Sequence, residues 1–65
     1  MIEITKDFNW KLREKRAKQR LSIKEASNEI GISRITLSKI ESGKAKEVRK
    51  SIYVKLTNWL VSEDY

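Results

Sequence analysis

The chain has 65 residues, 15 Lys plus Arg against 9 Asp plus Glu, no Cys, no His, no Pro, and a net charge of +6. A domain of about 60 residues hides only roughly 60% of its unfolded surface, which excludes a deep catalytic pocket, and the lack of Cys and His excludes a disulfide framework, a thiolate nucleophile, an imidazole base and an ordinary zinc site. The positive surplus favours a polyanionic partner, nucleic acid or an anionic membrane, and since no apolar run exceeds three residues, neither a spanning helix nor a secretory leader is expected and the expected location is cytoplasmic.

In chain order, Ile2-Glu3-Ile4 alternates apolar and polar but is too short to define a strand alone, so it reads as an extended arm against the body or a partner. A first helix starts after Thr5 or Asp7, either of which can cap, and runs to about Gln19 with Phe8, Leu12 and Arg16 four residues apart on one face. Leu21-Ser22 breaks the pattern. Ser22 and Glu25 then form a capping box for a second helix over 23–30, whose inner face is Ile23, Ala26, Ser27 and Ile30. Its two small residues allow another helix to cross closely, and Gly31 stops it in the left-handed conformation that glycine adopts most easily. Ser33 caps a third helix that ends at Gly43 and turns Leu37 and Ile40 inward.

Two short helices joined by a tight turn make a helix-turn-helix over about 23–42, an arrangement that aims its second helix at a DNA groove. A fourth helix, expected over about 47–62, puts Val48, Ile52, Leu56, Trp59 and Leu60 on one side as a lid for the core, with Tyr53 at its edge. Val54 and Val61 fall on the other side, with Tyr65 near them, as a candidate dimer surface. The fold class is all-α, a bundle of four helices, or five, forming a single domain over 1–65.

With Leu37 and Ile40 inside, the outward face of the third helix consists of Ile35, Lys39 and Ser42, with Arg34, Thr36 and Ser38 at its margins. Arg34 and Lys39 can donate to guanine or phosphate, Thr36 and Ser38 can serve bases or phosphates, and an exposed Ile35 suits a thymine methyl. Glu41 shares the interior side of Leu37 and Ile40, and a three-helix core brings it near Arg16, so the two are expected to pair and fix helix register. Ser22, the amide of Ile23, and Lys44, Lys46 and Arg49 in the loop after the third helix are candidate phosphate contacts, with Ser42 next to that loop.

Arg16, Leu21-Ser22, Ser27, Ile30-Gly31-Ile32-Ser33 and Leu37-Ser38-Lys39-Ile40-Glu41-Ser42-Gly43 together resemble the Cro and phage-repressor (XRE-like) helix-turn-helix regulators, over about residues 12–60. The resemblance implies a lambda-repressor-like DNA-binding domain. It implies base and nearby phosphate contacts from Ser33, Arg34, Ile35, Thr36, Ser38 and Lys39, backbone contacts from Ser22, Ile23, Lys44 and Lys46, and an internal Arg16–Glu41 pair. It further implies a Cro-like repressor of a phage or mobile element, binding a pseudo-palindromic operator as a homodimer with its third helices about 34 Å apart. Two positions depart from the family: Ile23 stands where Gln is usual, and Ala26 where a larger aliphatic is usual, so Trp59 or Phe8 must fill the space.

The alternative is a small antitoxin or accessory interaction module working through the apolar stripe of the fourth helix. Membrane binding is disfavoured, because Lys11, Arg13, Lys15, Lys18 and Arg20 occur all round the first helix. No enzymatic activity, cofactor, metal or small-molecule substrate is expected, since no Asp or Glu has a partner for acid–base or nucleophilic work.

Overall fold

The computed structural model describes residues 1–62, so Tyr65, the third residue of the expected dimer stripe, lies outside the described residues. The element order is β1 (Ile2–Glu3), α1 (Lys6–Lys18), α2 (Ile23–Ile30), α3 (Arg34–Ser42), β2 (Glu47–Val48) and α4 (Lys50–Val61). Thr5, not Asp7, caps α1, its hydroxyl accepting from the Phe8 amide at 3.1 Å. Asp7 lies in the first turn, where its charge suits the positive end of the helix dipole.

The end of α1 is closed without glycine. The Leu21 amide donates to Arg16 at 3.0 Å and the Arg20 amide to Ala17 at 3.1 Å, the paired bonds of a Schellman motif, and Arg20 takes the left-handed position at φ 55°. Ser22 and Glu25 then form the full capping box of α2, and Gly31, at φ 90°, ends that helix. Ser33 caps α3 through the Ile35 amide at 3.1 Å, and Gly43 ends it at φ 84°.

One difference from expectation lies between α3 and α4. Glu47 and Val48 are not helical. They pair antiparallel with the N-terminal arm, Ile2 opposite Val48 and Glu3 opposite Glu47, and the Ile4 amide extends the ribbon to the Lys46 carbonyl at 2.7 Å. The arm therefore lies on its own body, and α4 starts only at Lys50. β-branched Val48 suits the extended conformation, in which it is buried in the core and paired with Ile2.

Leu12, Ala26, Ile30, Leu37, Ile40, Val48, Leu56 and Trp59 form the buried core, one or more from every helix. Phe8 and Tyr53 stack over it from α1 and α4 with ring centroids 4.9 Å apart. The far end of α4 is held by Lys15, whose ammonium donates to the carbonyls of Trp59 and Ser62, the latter at 2.8 Å, and lies 4.9 Å from the Trp59 ring. Trp59 in turn donates to Glu29 of α2 at 3.2 Å.

Ala26 is fully enclosed and Trp59 is only 7% exposed, so the small residue on α2 and the large one on α4 belong to one close-packed cluster. Replacing Ala26 by Leu therefore overpacks this core. The expected loss is about 1–3 kcal/mol, read as a lower urea midpoint with an unchanged slope.

Candidate nucleic-acid interface

The interface begins with which side of α3 the core takes. Leu37 and Ile40 are 1% and 0% exposed, which leaves Arg34, Ile35, Ser38, Lys39 and Ser42 in solvent and Thr36 half-buried at the margin. Ile35, Ser38, Lys39 and Ser42 are spaced as one row along the helix. Ile35, at the N-terminal end of this otherwise polar row, is 62% exposed. The Ser42 hydroxyl donates back to the Lys39 carbonyl at 3.2 Å, so its proton points into the helix rather than toward a phosphate.

Beside the start of α3 lies the N-terminus of α2. The Ser22 hydroxyl accepts from the Glu25 amide at 3.1 Å, while the Ser22 amide donates to the Glu25 carboxylate at 3.0 Å. Ile23, as the first residue of α2, has an amide with no intrahelical acceptor and a half-buried side chain. The Ser22 amide, and secondarily its hydroxyl, hold the Glu25 carboxyl below its ordinary value of 4.5. Glu25 is thus a fixed negative charge at the same helix end that offers amides to an anion.

On the other side of α3, Lys44, Lys46 and Arg49 are all exposed in the loop leading to α4. Their loop is tethered at two adjacent residues. The Ala45 amide donates to Lys39 at 3.0 Å, and Lys46 accepts from the Ile4 amide of the arm. Sequence reasoning placed the arm against the body or a partner but missed its pairing with Glu47 and Val48, for which the Ile2-x-Ile4 alternation and Val48 were the signal.

Arg16 and Glu41 join these parts. Nε and Nη2 of Arg16 donate to the two Glu41 oxygens at 2.9 and 2.8 Å, and Nη1 donates to the Leu21 carbonyl at 3.0 Å. The side chains are 26% and 8% exposed respectively, and Asn9 adds a bond to the Glu41 carbonyl at 3.4 Å. Away from this region, Val54 and Val61 are 43% and 70% exposed on α4. Trp10 is 61% exposed on α1 with the Arg13 guanidinium 5.8 Å from its ring, a pair that sequence reasoning did not single out.

The chain matches the helix-turn-helix family model over residues 12–56, more than half of its length. It belongs to the XRE-type helix-turn-helix family. No curated protein and no solved structure matches it. As a member of this family it is a DNA-binding transcription regulator whose partner is double-stranded DNA, and the family is not one of enzymes. The helix-turn-helix is α2, the turn 31–33 and α3. Among the described residues no group of three or more His, Cys, Asp or Glu could hold a metal ion, and no helix is long and apolar enough to cross a membrane.

The Glu25 geometry sets a sign for pH dependence. A carboxyl whose folded pKa is depressed contributes stability above its ordinary value and loses it as pH falls through the folded value. Urea unfolding followed between about pH 3 and 7 is expected to show a shallower acid decline in Glu25→Gln than in the unaltered chain, with the two differing most in slope below 4.5.

Proposed function

We propose that this regulator binds a pseudo-palindromic operator as a homodimer and represses transcription by covering a promoter, as a Cro-like protein of a phage or mobile element. The observation that carries the reading is the row Ile35, Ser38 and Lys39, bare on α3 while Leu37 and Ile40 are buried, with basic or amide-bearing segments on both sides. Arg34 and Lys39 are the donors to guanine edges or nearby phosphates, Thr36 and Ser38 supply hydroxyls, and Ile35 supplies apolar contact. Ser22, the Ile23 amide, Ser33, Lys44, Lys46 and Arg49 hold the sugar–phosphate backbone. Ser42 joins them only if its hydroxyl turns away from the Lys39 carbonyl.

The whole chain acts as one domain, located in the cytoplasm, with no small-molecule ligand or membrane partner. Val54 and Val61 form the contact between two copies, which sets the half-sites about one helical turn apart. The exposure of the two valines also supports a second reading, an antitoxin or accessory module gripped there by another protein. Salt separates the two: affinity resting on phosphate contacts falls steeply between about 50 and 200 mM, and affinity for an apolar protein surface does not.

Alanine substitutions test the division of roles. Arg34→Ala and Lys39→Ala each cost about 1–3 kcal/mol on the preferred site and relax preference there, whereas Lys44→Ala and Lys46→Ala weaken preferred and random duplexes alike and lower the salt slope by about 1. Titrations of labelled duplexes measure both quantities. Equal, sequence-independent losses from all four changes would contradict the assignment.

A further inference from the structure

A shallow notch lies where the first turn of α2 meets the outward face of α3, lined by Ile23, Arg34, Ile35, Ser38 and Lys39. Its walls are hydrocarbon and its rim is cationic. Ile23 is half-buried and packs against the core, which makes that wall rigid, while Ile35 stands 62% exposed across from it. The Ile35 backbone is pinned through its amide by the Ser33 cap, and both side chains are β-branched, so neither loses much rotamer freedom when something fills the space between them.

A phosphate is served better at the rim, where Arg34, Ser38 and Lys39 can donate, than between the two isoleucines, where an ion loses water without a hydrogen bond in return. The rim explains why an apolar guest would still be brought here by charge. Arg34 and Lys39 stand on the margins and can engage phosphates or guanine edges next to the notch, holding a groove against it. Among the groups that a major groove displays, the one that is apolar is the pyrimidine 5-methyl, which thymine carries.

We propose that the side chains of Ile23 and Ile35 together receive the 5-methyl group of a thymine, which makes Ile23 a specificity-determining residue and puts a thymine at a fixed position in the preferred site. This rests on the DNA-binding face proposed above and adds to it. The amide of Ile23 addresses the backbone, and its side chain reads a base.

The test starts with duplexes enriched from a random library on the purified full chain at about 150 mM salt. Each thymidine of the enriched site is then replaced singly by deoxyuridine, which removes the methyl and nothing else. Binding to the unaltered chain is expected to weaken about fourfold at one thymine per half-site and to change little at the others. Ile35→Ala, a change at an exposed position whose folding is checked by circular dichroism, is expected to lose a similar factor and to bind the thymidine and deoxyuridine sites equally. Enrichment of a site at which no deoxyuridine replacement matters overturns the notch while leaving the DNA-binding reading standing. A gain on C5-methylation of a cytosine, with no loss at any thymine, overturns the thymine assignment in favour of 5-methylcytosine. Failure to enrich any sequence overturns the operator-binding reading, and the notch with it.

Discussion

The fork between Arg16 and Glu41 is the interaction on which the proposed DNA-binding face depends. One guanidinium, rooted in α1, bonds the last turn of α3 through both Glu41 oxygens and the turn before α2 through the Leu21 carbonyl. Three segments that have no covalent reason to keep a common orientation are thereby held at hydrogen-bond precision. Glu41 is nearly buried, so much of the attraction is offset by lost hydration. With α3 pinned at its end and capped by Ser33 at its start, its outward row and the N-terminus of α2 form one surface.

Charge is divided between that surface and the scaffold. The net charge of +6 suggests a uniformly basic body, but some of the cations serve helix ends. Lys15 donates to the carbonyls that close α4, and Lys55 donates to the Gly31 carbonyl after α2 at 3.2 Å. Each places a positive group where a helix dipole is negative. Arg34, Lys39, Lys44, Lys46 and Arg49 instead lie exposed on α3 and on the loop that follows it. The loop's place is set partly by the first four residues, since Ile4 bonds Lys46 and Ile2 faces Val48. The N-terminal arm, which the sequence placed against the body or a partner, thus shapes the basic flank of the proposed interface.

Much of the helix-turn-helix was legible because its signals are local. Ser22 with Glu25, Gly31, Ser33 and Gly43 each act within one turn, and every one occupies the cap expected of it. Arg16 and Glu41 were legible for a different reason: a four-residue spacing from Leu12 and from Leu37 put each charge on an inward face, and two such faces in a small core meet. The ribbon was not legible, because a two-residue strand carries almost no periodicity and gains its stability from a partner some forty-five positions away. For the same reason Val48 read as helical. The turn at Arg20 lacked the glycine that usually announces a left-handed residue. The notch between Ile23 and Ile35 depends on how α2 crosses α3, which no single helix encodes.

The central claim is that the face held out by the Arg16–Glu41 fork is where DNA binds. An amide chemical-shift titration of the isotope-labelled full chain with an enriched duplex tests it most directly. The account predicts the largest changes over α3 from Arg34 to Ser42, at the start of α2 and in the loop 44–49, with the outer side of α4 unmoved or changed only as two copies meet. Changes centred on Val54 and Val61, or on Trp10 and Arg13, with α3 left unaffected, would contradict it.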